Sequence, residues 1–160
     1  MPIPEEALEL ENQHIGEDWK PSLAAAYTIL EKQWETGDRD RELGLHLLFI
    51  SWYGMIEPKH ITGFDESTEV FHELEQMFER VHSFFEPTIQ EDAEMLWVVG
   101  LVTHMQWSMF TDREKWESIS KKYKKLYRTL EPDGIAAAVF EGRGAYGDYL
   151  KRHALIVDGY

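Results

Sequence analysis

Two histidines lie inside the most apolar segments of the chain, and both could take part in chemistry. His46 and His104 are each surrounded by Leu, Val, Ile, Phe or Trp residues, and Glu42 precedes His46 by one helical turn. Two imidazoles and a carboxylate that face each other could hold a metal ion or act as a general base. The alternative is a pair of core histidines bonded to backbone or hydroxyl groups, which we favour because no third ligand is evident. His46, His104 and Glu42 remain candidates for a metal site, and we expect no cofactor and assign no catalytic residue.

Two Glu-x-x-His pairs provide a second metal hypothesis. The pairs Glu69–His72 and Glu79–His82 have the carboxylate–histidine spacing of helical di-iron bundles. Such bundles need these pairs on two inward-facing helices, whereas both pairs here belong to one acidic segment that we interpret as facing solvent. The sequence therefore favours ordinary surface pairs for both.

The segment from Phe140 to Tyr149 combines three glycines with an arginine and two tyrosines. Each glycine weakens a helix by about 1 kcal/mol relative to alanine, so other contacts must compensate. One interpretation is a turn or a close approach of two helices. The other is that Arg143, Tyr146 and Tyr149 hold a carboxylate or phosphate of a ligand. We favour the structural interpretation and retain these three residues as candidate ligand contacts.

A basic stripe is the last candidate for binding. Seven basic and three acidic residues lie between Arg113 and Glu131, whereas Glu69 to Glu86 contains five acidic residues and one basic residue. The stripe could be a solvated face, a match for the acidic segment, or a docking patch for an acidic partner, in that order of preference. Its members are Lys121, Lys124, Lys125 and Arg128.

Composition limits the classes of function. The chain has 160 residues, a formal net charge of −14, 43% hydrophobic residues and no cysteine. Such acidity repels phosphate backbones and anionic lipids, so we expect no nucleic-acid partner and no membrane binding. The lack of cysteine excludes disulfides and thiolate chemistry. The start of the chain lacks a basic region followed by an apolar run, so we expect no secretory signal and a cytoplasmic protein.

Helical periodicity dominates the elements that must position these residues. The sequence predicts an all-α fold of about six helices, arranged as three stacked antiparallel hairpins or an irregular bundle. Residues 1–18 read as a weakly docked acidic arm, and residues 19–160 as one helical domain. Asp65 is the predicted N-cap of the third helix. The predicted helices span about 21–35, 40–55, 65–86, 92–109 and 111–131, with a sixth starting near 135.

One apolar pattern occurs twice, 45 residues apart. Apolar residues at relative positions 0, 3, 7, 10 and 14, followed by Glu-Pro, occur from Phe71 to Pro87 and from Trp116 to Pro132. The same face and the same stop signal indicate a duplicated helical hairpin. Hairpin repeats more often provide contact surfaces than a single chemistry.

Residues 93–132 resemble a stretched tetratricopeptide repeat, and residues 40–87 resemble a second copy with a longer turn. The residues that carry the resemblance are Ala93, Trp97, Gly100, Asp112, Trp116, Tyr123 and Pro132. Both second helices are longer than the family's unit of about 34 residues allows. Phe71 and Trp116 also stand where the family has a small residue. The resemblance implies a helical-hairpin stack that binds protein or peptide, and it assigns no ligand contact.

We therefore expect a protein-interaction module whose acidity suits a basic partner. One version is an acidic inhibitor of the immunity-protein type that covers a basic nuclease. The first alternative is a small helical enzyme or metal-binding protein that uses His46 and His104. The second alternative is a homo-oligomer in which exposed aromatic residues bury one another.

Overall fold

The computed structural model describes residues 3–154, and all regular secondary structure in that range is helical. The α-helices are α1 (Glu5–Gln13), α2 (Leu23–Glu35), α3 (Arg41–Ile56), α4 (Lys59–Thr62), α5 (Thr68–Phe85), α6 (Ala93–Gln106), α7 (Arg113–Leu130) and α8 (Gly144–Ala154). Short 3₁₀ segments span Ile89–Glu91, Trp107–Met109 and Ala137–Phe140. The all-α prediction is confirmed. The described range contains eight α-helices rather than about six, because α1 and the single turn α4 were not predicted.

Helices α3 and α6 form the centre of the molecule. Every residue from Leu43 to Trp52 and from Glu94 to Thr103 is buried. Helix α3 packs against α2, α5, α6 and α8, while α6 packs mainly against α7. A helix that is apolar on all sides needs neighbours on all sides, which fits the burial of both helices. Apolar as they are, neither these two nor any other helix of the described chain is long and apolar enough to cross a bilayer.

Side chains just before the helices fix where they begin. Asp92 caps α6 by accepting a hydrogen bond from the backbone N–H three residues later, at 3.1 Å. The prediction that Asp65 caps α5 is wrong. Ser67 performs that role by accepting a hydrogen bond from the N–H of Val70 at 3.1 Å. Asp65 instead pairs with Lys59 at 2.6 Å.

The two repeated apolar stripes meet at one place between α5 and α7. The rings of Phe78 and Trp116 are 5.2 Å apart. Two turns further along α7, the hydroxyl of Tyr123 reaches His82 of α5. The last residue of the second stripe, Leu130, departs from the pattern because 43% of it is exposed. The stripes therefore touch at Phe78 and Trp116, while α5 packs mainly against α3 and α7 mainly against α6.

Helix α1 lies within the segment that the sequence analysis interprets as a weakly docked arm. It packs against α2 and α8, and its residues Ala7 and Glu11 are fully buried. Glu5, Glu6 and Glu9 remain exposed on the opposite side. For residues 5–13 the expectation of weak docking is therefore wrong, because Glu11 finds partners in the interior.

Glycines determine where the last helix starts and how closely it packs. Gly142 and Gly144 have φ angles of +72° and +67°, which are left-handed values that favour glycine. The chain turns there, so α8 begins at Gly144 instead of near Ile135. At Gly147 an added Cβ atom would overlap the carbonyl oxygen of Phe140. A turn and a close approach both occur, as the structural interpretation of this segment predicts.

Candidate functional site

Arg143 lies between two glutamates that belong to different central helices. Its Nε and Nη2 atoms donate to the carboxylate of Glu42, in α3, at 2.8 and 2.7 Å. Its Nη1 and Nη2 atoms donate to the carboxylate of Glu94, in α6, at 2.6 and 2.8 Å. All three guanidinium nitrogens thus donate to carboxylates. The planar guanidinium group matches the geometry of a carboxylate, and this match makes arginine–carboxylate pairs strong.

His46 lies on the other side of Glu42, in the interior of α3. Its Nε2 atom is 3.0 Å from a carboxylate oxygen of Glu42, and its Nδ1 atom is 2.6 Å from Oε2 of Glu11. Burial alone would lower the pKa of His46, but the charges and hydrogen bonds of Glu11 and Glu42 outweigh it and raise the pKa to about 9. At neutral pH, His46 is therefore a buried cation that donates from both ring nitrogens.

The electrostatics of Glu42 follow from the same contacts. Burial would raise the pKa of this carboxyl group, but hydrogen bonds from His46 and Arg143 outweigh burial and lower the pKa to about 2. Glu42 is therefore charged throughout the physiological pH range, and it lies between two cations.

Glu11 joins α1 to the start of α8. One of its carboxylate oxygens faces His46, and the other accepts a hydrogen bond from the backbone N–H of Tyr146 at 3.2 Å. A Cβ atom on Gly144 would come within 2.7 Å of the same carboxylate, so the glycine leaves the room that Glu11 needs. The ring of Tyr146 stacks on His46 with centroids 4.8 Å apart, and its hydroxyl donates to Glu94 at 3.2 Å.

Arg41 extends the cluster to the start of α6. Its Nε atom donates to Asp92 at 2.6 Å, and its Nη2 atom lies 2.9 Å from Asp92 and 3.3 Å from Glu94. Burial would raise the pKa of Asp92, but the hydrogen bond and charge of Arg41, together with hydrogen bonds from the backbone N–H groups of Met95 and Glu94, outweigh burial and lower that pKa. We call the connected set the Arg143 network. Its members are Glu11, Arg41, Glu42, His46, Asp92, Glu94, Arg143 and Tyr146.

The Arg143 network holds four parts of the fold together. It contains four carboxylates and three cations, and each charge faces at least one opposite charge within 3.3 Å. Such pairing is what makes buried charges tolerable. Neither His46 nor Glu42 has a pKa near 7, where a general base works best. Within residues 3–154, no group of three or more His, Cys, Asp or Glu side chains is arranged to hold a metal ion.

Four residues chosen from the sequence meet in this network: Arg143, Tyr146, His46 and Glu42. Their neighbours differ from the expectation, because His46 bonds to carboxylates rather than to backbone or hydroxyl groups. His104 is not brought to them. It is exposed and lines a separate hollow with Trp107, Lys121 and Lys124. The hypothesis that His46 and His104 face each other is therefore wrong.

Tyr149 also lies apart from the network. Its ring packs against Phe49 at 5.3 Å, Tyr53 at 5.5 Å and His153 at 4.6 Å. Burial raises the pKa of its hydroxyl to about 12. Tyr149 thus belongs to an aromatic cluster on α3 and α8 rather than to a group around Arg143.

The basic stripe on α7 lies mostly at the surface. Lys121, Lys125 and Arg128 are exposed, and Lys124 is half-buried. Lys121 pairs with Glu117 of the same helix at 3.2 Å, an i,i+4 pair of the kind that contributes little to stability. For Lys121 this geometry fits a solvated face, the first of the three interpretations.

The Glu79–His82 pair is not a surface pair. His82 is 1% exposed, and its Nε2 atom is 2.6 Å from the hydroxyl oxygen of Tyr123. Burial lowers the pKa of His82 to about 4, so the imidazole is neutral at pH 7. The interpretation of this histidine as solvent-facing is wrong because α7 covers that side of α5.

A hollow of about 720 Å³ lies between the end of α2 and the second half of α5. We call it the Phe84 hollow, and its lining is Trp34, Arg39, Gln76, Glu79, Arg80, Ser83 and Phe84. The Arg39 guanidinium stacks on the Trp34 ring at 3.8 Å and donates to the Trp34 carbonyl at 2.6 Å. Phe84 is 49% exposed and contacts Trp34 edge to face at 5.8 Å.

Sequence reasoning missed Glu11, Glu94, Arg41, Asp92 and Phe84. Two signals were available: Glu94 opens an otherwise apolar helix, and Phe84 lies beside the apolar stripe rather than on it. No protein-family model, curated protein or solved structure matches this chain. The tetratricopeptide resemblance therefore stays a prediction.

Proposed function

We propose that this chain is a helical protein-interaction module that binds a basic partner at the Phe84 hollow. The observation that carries the proposal is the exposed aromatic side chain of Phe84 in this hollow. An acidic inhibitor of a basic enzyme is one version of this function.

Phe84 has the properties of an anchor for binding. Large aromatic residues dominate the energetics of protein interfaces when a partner buries them. Half of Phe84 is accessible, while its other half rests against Trp34 and Phe85, whose ring is 4.9 Å away. The anchor is thus held in place before a partner arrives, which reduces the entropy cost of binding.

The charge around the hollow supports a basic partner. Glu79 lines it, and Glu35 pairs with the lining residue Arg80 at 2.8 Å. Glu31 and Glu73 lie close enough to Tyr27 to add to the rise in its pKa that burial causes. Four carboxylates and the two lining arginines, Arg39 and Arg80, therefore share this face of α2 and α5, which leaves an excess of two negative charges. A cationic partner gains attraction there, and an anionic one is repelled.

The helix arrangement supports a module of hairpin type. Helices that are consecutive in the chain pack together, α2 with α3 and α6 with α7. In the proposed function these pairs act as the hairpins of the stack. The partner contacts α2 and α5 at its edge, and α3 and α6 remain the interior.

The test compares two truncations of exposed apolar residues. Phe84→Ala removes the proposed anchor, and Leu130→Ala is the matched control because Leu130 is 43% exposed on another helix. Wild-type protein should retain a basic protein from the native host in a salt-sensitive manner. With that partner purified, Phe84→Ala should weaken binding by about 2 kcal/mol or more, and Leu130→Ala should leave it unchanged. Both variants should unfold at the wild-type temperature.

Two results would contradict the proposal. Retention of the same partner by Phe84→Ala at wild-type affinity would show that the hollow is not the contact. Retention of an acidic partner whose binding depends on Lys121 and Lys125 would move the contact to the α7 stripe.

The homo-oligomer is the second candidate function, and the same observation favours it. An exposed Phe84 could be buried by a second copy of the chain. Light scattering at several concentrations distinguishes the two. Association of the purified chain that Phe84→Ala abolishes would support the homo-oligomer over the basic partner.

A further inference from the structure

A second hollow lies at the opposite end of α5, between the end of α3 and the segment that follows it. It has a volume of about 600 Å³, within the range of pockets that hold small molecules. Its walls come from residues 54–58, 64–68 and 70–72. We call it the Glu57 hollow. It shares no lining residue with the Phe84 hollow.

The floor of the Glu57 hollow is apolar and well supported. Its apolar side chains are buried or half-buried, and they are Met55, Ile56, Phe64, Val70 and Phe71. Gly54 allows the floor to form, because a Cβ atom there would lie 2.7 Å from the ring of Phe64. The apolar part of a ligand would therefore contact a surface fixed by packing.

The rim of the hollow is acidic. Glu57, Asp65 and Glu66 line it together with His72, and none of the lining residues in the described chain is a lysine or arginine. The neighbouring Lys59 pairs with Asp65 at 2.6 Å and donates its backbone N–H to Glu66 at 3.1 Å. The ammonium group of Lys59 therefore faces one of the three carboxylates, Asp65, and an excess of negative charge remains at the rim.

The end of α3 adds negative potential to the same place. Residues 54–56 line the hollow and are the last three residues of this 16-residue helix. Carbonyl groups in the last turn of a helix lack the usual partner four residues later, and they carry the negative end of the helix dipole. A cation in the hollow would interact favourably with both the carbonyl groups and Glu57.

From this combination we infer that the Glu57 hollow binds a small organic ammonium ion with an aromatic or branched aliphatic body. The apolar floor contacts the body of the ligand, and the Glu57 carboxylate with the α3 carbonyl groups contacts its charged nitrogen. This site goes beyond the proposed partner surface and does not depend on it.

The test uses phenethylammonium as the probe and 2-phenylethanol as its uncharged counterpart. Each is titrated at pH 7 and constant ionic strength into ¹⁵N-labelled full-length protein. Phenethylammonium should shift the amide signals of residues 54–57 and 70–72 saturably, and it should bind about fivefold or more tightly than the alcohol. Glu57→Gln should remove that preference without lowering the unfolding temperature.

The control variant is Glu17→Gln, which removes an exposed carboxylate elsewhere and should leave the preference intact. The inference is overturned if neither probe binds saturably, if both bind equally to wild type, or if Glu57→Gln retains the preference. Equal loss in both variants would show a general effect of net charge and would also overturn it. If Nα-acetyl-lysine amide binds more tightly than phenethylammonium, the hollow is instead a site for a lysine side chain of a peptide.

Discussion

The buried imidazolium of His46 should make the stability of the protein decrease in mildly alkaline solution. Its pKa is about 9 in the folded chain, whereas an unperturbed histidine has a pKa of 6.5. The folded state therefore binds this proton more tightly than the unfolded state does. The resulting stabilisation is fully present below pH 6.5 and is lost as the pH rises through 9.

The size of the effect follows from the two pKa values. A difference of one in pKa corresponds to about 1.4 kcal/mol, so the change from 6.5 to about 9 corresponds to about 3 kcal/mol. His46 is 1% exposed, so solvent screens its contacts with Glu11 and Glu42 very little. A domain of this size is typically stable by about 5 to 15 kcal/mol, so the loss should be readily measurable.

Urea unfolding followed by tryptophan fluorescence at several pH values measures the effect. The difference in the free energy of unfolding between wild type and His46→Gln should decrease by about 3 kcal/mol from pH 6 to pH 9.5. His60→Gln is the control because His60 is exposed, and it should follow wild type. Parallel curves for wild type and His46→Gln would refute the charged network. If His46→Gln does not fold, the His46 ring signals of wild type in NMR give the pKa directly.

Two other perturbations test the interior. Burial lowers the pKa of His82 to about 4 in the folded chain. The contribution of the neutral His82 ring to the free energy of unfolding is therefore present above pH 6.5 and is lost as the pH falls towards 4. Urea unfolding should show the difference between wild type and His82→Gln shrinking by about 2 kcal/mol from pH 7.5 to pH 5, and a constant difference would contradict the burial of a neutral imidazole. Gly147→Ala should lower the free energy of unfolding by about 2 kcal/mol because its Cβ atom meets the Phe140 carbonyl. Gly142→Ala, with no atom within 4 Å, should cost about 1 kcal/mol, and equal unfolding temperatures would contradict the close approach.

Local signals in the sequence predicted most of the helices. Helices α3 and α6 are apolar on all sides, and an aspartate that caps its own helix precedes each of them. Helix α1 carries no such signal. Its hydropathy is dominated by exposed glutamates, and its docking depends on Ala7 and Glu11 meeting residues far along the chain. Asp65 and Ser67 were both acceptable caps, and only the pairing of Asp65 with Lys59 decided between them.

The candidate site was predictable only in part, because its contacts are distant in sequence. The glycines on either side of Arg143 mark its segment as unusual, and an arginine there predicts a carboxylate or phosphate partner. Its actual partners, Glu42 and Glu94, are 101 and 49 residues away and belong to the same chain. Nothing local distinguishes Glu11 from the exposed glutamates around it. The role of Glu11 depends on the docking of α1 against α2 and α8, which is a matter of tertiary packing.

The contents of the Arg143 network also bear on the choice between the proposed functions. Its carboxylates and cations nearly balance, and 26 acidic and 14 basic residues lie outside it. The acidity of the chain is therefore carried by the rest of the molecule, where α1 and α5 expose several glutamates. Exposed charge of one sign raises the rate of association with an oppositely charged partner and is screened by salt. An apolar anchor such as Phe84 acts mainly on dissociation. Together, an acidic exterior and the exposed aromatic anchor Phe84 support recognition of a basic protein better than a chemistry centred on His46, whose ring nitrogens both already bond to carboxylates.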